Sequence, residues 1–108
     1  TVSSRADGPA TIVTPVGDVD LTASPLLRQE LKKVQAAGPK RLIVDLAAVG
    51  YMDSSGLATL VEAMQQARKT GTRIVLCAMT DRVRSIFEIA RLDSVFAIAL
   101  SLDEARTK

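Results

Sequence analysis

Apolar residues follow two different spacings along this chain, and the two spacings predict two kinds of element. Five short runs of strand length are rich in β-branched or apolar residues. They cover residues 2–5, 11–16, 41–46, 72–78 and 94–100. The first two are separated by the turn sequence Ala-Asp-Gly-Pro-Ala, which indicates a hairpin. The run at 41–46 is almost continuously apolar, as expected of a strand covered on both faces.

Between these runs, apolar residues recur every three or four positions, which predicts helices. We expect the first helix to have Ser24 as its N-cap and Pro25 at its first helical position, and to end before Gly38. Further helices are predicted at 57–69, 81–90 and 102–106. The side chains expected to pack on the sheet are Leu27, Leu31, Val34, Leu57, Leu60, Val61, Met64, Ala67, Val83, Ile86, Phe87 and Ala90.

The resulting order of elements, ββαβαβαβα, is typical of an α/β domain with a mixed, mostly parallel sheet and helices packed on it. At 108 residues the chain is long enough for one such domain with its own core. No internal repeat or linker divides the sequence. We therefore expect a single complete domain over residues 1–108, although a start at Thr1 instead of methionine leaves open that it was cut from a longer protein.

The composition excludes several functions. The chain has no histidine, which removes histidine metal sites, Ser-His-Asp triads and histidine acid–base catalysis. With a net charge of +2 and an aromatic content of 3%, the chain lacks the strong positive charge and the aromatic side chains typical of proteins that bind nucleic acid or an anionic membrane. The single cysteine, Cys77, lies in an apolar run, so we expect a buried, unreactive thiol in a cytoplasmic protein. No metal and no cofactor are expected.

Candidate chemistry lies in the loops that follow the strands, because functional loops of parallel sheets lie at the carboxyl ends of the strands. These loops carry Asp18 and Asp20, the turn Asp-Ser-Ser-Gly at 53–56, and Thr80 with Asp81. Helix capping explains much of the turn at 53–56, since Asp and Ser are preferred caps and Gly eases a tight turn. However, the turn has more acceptor side chains than one cap needs, and Met52 and Leu57 flank it. That makeup is also typical of a docking surface.

Either serine of the turn could carry a phosphate. At a helix N-terminus the backbone amides favour a negative group. The same phosphate would add a charge of about −1.5 to −2 beside Asp53, which a partner packed on the turn would not tolerate. The residues alone do not decide between a cap and a switch.

Several stretches closely resemble the STAS domain, the family of sulfate transporters and anti-sigma factor antagonists. The run LIVDLAAVGYMDSSGLATLVEA at 42–63 carries most of the resemblance. The run GDVDLTAS at 17–24 resembles the Gly-x-x-Asp loop of the family, and residues 71–105 match its fourth strand, third helix and closing segment. The resemblance covers about residues 10–106.

This resemblance implies a bacterial anti-sigma factor antagonist in which Ser54 accepts the phosphate and Ser55 supports the turn. The unphosphorylated protein would bind an anti-sigma factor that is also an ATP-dependent serine kinase, and so release a sigma factor. Phosphorylation would end the complex, and a PPM-class serine phosphatase would restore it. The chain would be a substrate and not an enzyme. The partner-binding residues implied are Asp20, Asp53, Ser54, Ser55, Gly56 and Leu57.

Two other hypotheses remain open from the sequence. The domain could be an interaction module of another assembly, such as a transporter tail, a lipid-transport complex or a stressosome-like scaffold. It could also be a small hydrolase or a nucleotide-binding enzyme, although no general base other than exposed carboxylates is available.

Overall fold

The computed structural model describes all residues, 1–108, and contains the predicted sequence of elements. The strands and helices are β1 (Val2–Asp7), β2 (Ala10–Pro15), α1 (Ser24–Ala36), β3 (Arg41–Asp45), α2 (Ser54–Thr70), β4 (Arg73–Cys77), α3 (Asp81–Ile89), β5 (Ala97–Ala99) and α4 (Leu102–Ala105). The predicted order ββαβαβαβα is therefore confirmed.

The five strands form one sheet in the order β1-β2-β3-β4-β5. β1 runs antiparallel to β2, with Asp7 opposite Ala10, as in the predicted hairpin. All other neighbours are parallel, and their register aligns Ile12, Ile43 and Val75 in one row across β2, β3 and β4. The mixed, mostly parallel sheet predicted from the sequence is confirmed.

Both faces of the sheet are covered, which explains why the central strands are almost continuously apolar. On one face the helices α1, α2 and α3 enclose the main core with alternate residues of the strands. The opposite face holds a smaller cluster in which Ala105 of α4 packs with Ile43 and Val75. The largest fully buried side chains of the main core include Leu27, Leu31, Leu42, Leu46, Met52, Leu60, Leu76 and Phe87.

The beginning of α1 differs from the prediction. Ser24, predicted as the N-cap, is the first residue of the helix and is only 3% exposed. Asp20 instead stabilises the turn that leads into α1, because its Oδ1 accepts hydrogen bonds from the amides of Thr22 and Ala23, each at 3.0 Å. The carbonyl of Asp20 also accepts from the amide of Ser24 at 2.8 Å. The prediction for Ser24 is wrong because an upstream aspartate forms the turn that leads into the helix.

The connection between α3 and β5 is longer than predicted. Ala90 follows the last residue of α3 and is exposed, so it does not pack on the sheet. The amide of Phe96 then donates to the carbonyl of Leu92 at 3.2 Å, within a turn. β5 is consequently limited to Ala97–Ala99, whereas the prediction covered 94–100.

Cys77 is fully buried in β4, as predicted. Burial raises the pKa of its thiol to about 11, and the nearby carboxylate of Asp45 adds to the effect. The thiol is therefore protonated near neutral pH and is a poor nucleophile. No helix of the structure combines the length and the apolar character needed to span a membrane.

We expect Leu60→Ala and Phe87→Ala each to lower the free energy of unfolding by about 2–5 kcal/mol, because both side chains are fully buried. Phe87 also loses an edge-to-face contact with Phe96, whose ring centroid is 5.9 Å away. Urea denaturation measures the change. Ile89→Ala, at an exposed position of α3, the helix that contains Phe87, is the control and should change stability by less than about 0.5 kcal/mol. Losses well under about 1 kcal/mol at both core positions would contradict this core assignment.

Candidate functional site

The loops that follow β2, β3 and β4 lie at one edge of the sheet, which we call the rim. The rim consists of residues 16–23, 46–57 and 78–80, so that its second segment includes the first turn of α2. An isolated parallel bridge between Val19 and Met52 joins the first two loops. The amide of Val19 donates to the carbonyl of Tyr51 at 3.0 Å, and the amide of Asp53 donates to the carbonyl of Val19 at 3.2 Å. Asp20 and Asp53 directly follow the bridged residues, so the bridge places their backbones on the same part of the rim.

Gly56 allows α2 to begin directly against this bridge. A Cβ atom on Gly56 would lie 2.5 Å from Cγ of Met52 and 2.8 Å from the carbonyl oxygen of Val19. Its φ is not in the left-handed region, so close approach and not backbone freedom requires glycine here. Met52 is consequently packed under the turn and buried, and it adds no apolar surface to the rim.

Asp53 is the N-cap of α2, which begins at Ser54, three residues earlier than predicted. Its Oδ1 accepts from the amide of Ser55 at 2.9 Å and from the amide of Gly56 at 3.2 Å. The same oxygen accepts the hydroxyl of Ser55 at 2.6 Å, a charge-assisted hydrogen bond. The Ser55 hydroxyl is the main cause that lowers the pKa of Asp53; desolvation, the next largest effect, opposes it, and the backbone amides of Gly56, Ser55 and Leu21 lower the pKa further. Asp53 is therefore ionised near neutral pH.

The two serines of the turn have different surroundings. Ser54 is exposed, and its hydroxyl makes no hydrogen bond within the chain. Ser55 is half-buried, its hydroxyl is bonded to Asp53, and its carbonyl accepts the hydroxyl of Thr59 at 2.8 Å. Ser55 thus supports the turn by donating to the cap, while the cap itself is Asp53.

The remaining residues suggested by the sequence are distributed between the rim and the core. The carboxylate of Asp20 is half-exposed and held in its local turn, as described above. Leu57 is half-buried and packs against the main core, so only part of its side chain is available at the surface. Asp18 is exposed. Leu21, which the sequence did not single out, is 76% exposed beside Asp20 and forms the most exposed apolar part of the rim.

The third loop is attached to the second through Thr80. Its hydroxyl donates to the carbonyl of Val49 at 3.4 Å and accepts from the amide of Val83 at 3.3 Å, which caps α3. The guanidinium of Arg82 stacks on the ring of Tyr51, 4.8 Å from its centroid. This contact was not foreseen, because nothing in the local sequence around either residue indicates it.

Neither cavity of the structure is formed by the turn at 53–56. The larger one, of about 510 Å³, is a groove between α1 and α2 that is crossed by an ion pair of Arg28 and Glu62 at 3.2 Å. No group of three or more carboxylates or thiols has the arrangement of a metal site. A turn that has one free hydroxyl and lines no cavity presents a surface to another macromolecule more readily than it encloses a small substrate.

Comparison with known protein families matches residues 1–105 to the STAS domain. The chain therefore belongs to the STAS domain family, and the resemblance inferred from the sequence is confirmed. An anti-sigma-B factor antagonist of Listeria monocytogenes is 33% identical over 82 residues, which cover 76% of this chain and 72% of that protein.

Solved structures of the same class share the fold. An anti-sigma factor antagonist from Mycobacterium paratuberculosis superimposes with a TM-score of 0.87 at 28% identity, over 99% of this chain and 91% of that one. The Bacillus cell fate determinant SpoIIAA in its phosphorylated form gives a TM-score of 0.75 at 18% identity, over 98% and 96% of the two chains. At that level of identity, the second comparison supports the fold alone.

We expect Gly56→Ala to destabilise the protein by about 1–3 kcal/mol, because the added methyl group must displace Met52 or the backbone of Val19. The loss should occur although alanine is the better helix former by about 1 kcal/mol. Thermal and urea unfolding measure it. Gly50→Ala is the matched control, since its Cβ would meet only Asp18 Oδ1 at 3.4 Å. Equal stability of the two variants would show that close approach is not the constraint at Gly56.

Proposed function

We propose that this protein is an anti-sigma factor antagonist controlled by phosphorylation of Ser54. The observation that carries the proposal is the exposed, unbonded hydroxyl of Ser54 at the first position of α2, in a chain of the STAS family. Relatives in this family are named anti-sigma factor antagonists, which supports the general role. The chain acts in the cytoplasm as a substrate of the regulating enzymes and is not itself a catalyst.

In the unphosphorylated state the rim is the docking surface for an anti-sigma factor. The proposed contacts come from the turn that begins α2 and from the loop that precedes α1; they are Asp20, Asp53, Ser54, Ser55, Gly56 and Leu57. Hydrogen bonds between the two loops hold this surface before any partner arrives, which lowers the entropic cost of binding. Occupation of the anti-sigma factor by this protein releases the sigma factor.

Phosphorylation reverses binding through local charge. A phosphate on Ser54 brings about −1.5 to −2 charges next to Asp53, which is already ionised. Within the isolated domain, the amides at the start of α2 moderate the repulsion. A bound partner would have to desolvate the phosphate and the carboxylate together. A loss of about 3 kcal/mol from this cause weakens binding more than a hundredfold.

The circuit requires two enzymes that act on this chain. The anti-sigma factor is itself the serine kinase and brings the ATP and Mg²⁺ that the transfer needs. A PPM-class serine phosphatase removes the phosphate and restores the binding form. Both activities belong to the partners, in keeping with a rim that has a free hydroxyl but no cavity of its own.

We expect Ser54→Ala to bind the anti-sigma factor even in the presence of ATP, because the oxygen that accepts the phosphate is gone. Ser54→Asp should bind at least tenfold more weakly, because a negative charge replaces the hydroxyl. Titration calorimetry with each purified anti-sigma kinase of the source organism measures the affinities. Peptide mass spectrometry of the wild-type protein after incubation with kinase and ATP locates the phosphate.

Ser85→Asp, at an exposed position of α3, is the control for added charge away from the rim and should bind like the wild type. Phosphate on Ser55 would overturn the assignment to Ser54. If the wild type binds none of the anti-sigma kinases of the organism, the proposed function is overturned. An interaction module of another assembly is then favoured.

A second prediction concerns the charge of Asp20. Asp20→Asn keeps the side-chain oxygen that accepts from Thr22 and Ala23, and removes only the charge. We expect binding to weaken by about three- to tenfold, mainly through a slower association rate at low salt, as for a charge at the edge of an interface. Asp93→Asn, an exposed carboxylate outside the rim, is the matched control. Unchanged association rates in Asp20→Asn would make Asp20 a structural residue only.

A further inference from the structure

The turn at the start of α2 contains two adjacent serines, and only one hydroxyl is free. The hydroxyl of Ser55 donates to Oδ1 of Asp53 at 2.6 Å, whereas the hydroxyl of Ser54 has no partner in the chain and faces solvent. Ser55 is also half-buried, and its backbone is held from both sides. Its amide donates to Asp53, and its carbonyl accepts from Thr59 at 2.8 Å. A kinase that approaches this turn therefore meets one available acceptor.

The bond between Ser55 and Asp53 also determines what Asp53 does. A single carboxylate oxygen accepts two amides and a hydroxyl, and the hydroxyl is the closest of the three donors. Without that hydroxyl, Asp53 would keep only the two amide bonds. The carboxylate could then turn about its side-chain torsions and accept the hydroxyl of the neighbouring Ser54, which is the other donor in the turn.

We propose that Ser55 is a positioning residue that directs phosphoryl transfer to Ser54, an inference that rests on the proposed function. By occupying Asp53, the Ser55 hydroxyl keeps Ser54 unbonded and withholds itself as a competing acceptor. In the transfer, Oγ of Ser54 forms a bond to the γ-phosphorus of ATP while the bond from that phosphorus to the bridging oxygen of ADP breaks. The hydroxyl proton of Ser54 passes to a base of the kinase.

This role differs from simple support of the fold, and the difference can be measured. Loss of a hydroxyl that only supports the fold lowers stability but leaves the phosphorylation rate and the choice of acceptor unchanged. Loss of a positioning hydroxyl lowers the rate of transfer to Ser54, and the titration of Asp53 tests the hydrogen bond through which the hydroxyl acts. Ser101 is a useful comparison within the same chain, because its hydroxyl caps α4 by accepting from the amide of Glu104 at 3.2 Å, at a helix that carries no acceptor turn.

The first test needs no partner. The carboxyl group of Asp53 is titrated by ¹³C NMR in the wild type, in Ser55→Ala, in Ser55→Thr and in Ser101→Ala. We expect the pKa of Asp53 to rise in Ser55→Ala, since its main cause of lowering is removed. Ser55→Thr retains the hydroxyl and should preserve the low value, and Ser101→Ala should leave it unchanged. An unaltered pKa in Ser55→Ala, with the variant folded, would overturn the inference, as would a raised pKa in Ser55→Thr.

The second test uses the anti-sigma kinase that phosphorylates the wild-type protein. We expect Ser55→Ala to lower kcat for phosphorylation about tenfold with KM little changed, because a misplaced reacting group costs rate steeply. Ser55→Thr should restore the rate, and Ser101→Ala should match the wild type. In Ser54→Ala, mass spectrometry should find no phosphate on Ser55.

The outcomes separate the inference from the proposed function. A wild-type rate in Ser55→Ala, or phosphate on Ser55 in Ser54→Ala, would overturn the positioning role while phosphorylation at the rim stands. If the wild type is not phosphorylated by any kinase of the organism, the proposed function and the directing role both fail, and the NMR titration still decides whether Ser55 controls the ionisation of Asp53.

Discussion

The hydrogen bonds that join the loop after β2 to the loop after β3 are the constraint on which the rim depends. They are backbone contacts between Val19, Tyr51 and Asp53, made possible because β2 and β3 are parallel neighbours whose loops leave the sheet side by side. The bridge leaves no space for a side chain on Gly56, and α2 begins directly against it. Once the amide of Asp53 is fixed in this way, its carboxylate lies over the first amides of α2 and becomes the cap.

In the proposed function, the cap is also the feature that would make the turn responsive to a phosphate on Ser54. A carboxylate that accepts three hydrogen bonds remains ionised, so a negative charge is already present beside Ser54 before any modification. The large core under α1, α2 and α3 does not contain these groups, and a change in charge at the rim therefore leaves most of the stabilising contacts intact. In the proposed switch, a phosphate would weaken binding strongly but cost the fold little, because the repulsion would arise only where a partner excludes water.

Much of the fold could be read from the sequence, because hydrophobic spacing and short connections permit few arrangements of this length. The failures have a common cause. Ser24 has the residue type and position of a cap, but the carboxylate of Asp20 accepts the hydrogen bonds of the amides that precede the helix. The run at 94–100 has the composition of a strand, but its first residues belong to a turn and only Ala97–Ala99 pair with β4. In both places a competing local hydrogen bond, which residue type does not reveal, decides the boundary.

For the candidate site, the sequence by itself determined the identity of the turn, its place at the carboxyl end of a strand and its membership of the STAS family. The resemblance named Ser54 as the acceptor, but the difference in hydrogen bonding between the two serines appears only in the tertiary structure. Ser54 and Ser55 are the same residue type at adjacent positions, so no local pattern separates them. The bridge to Val19 and the close packing at Gly56 set the direction of the first turn of α2, and that direction places one hydroxyl against Asp53 and leaves the other in solvent.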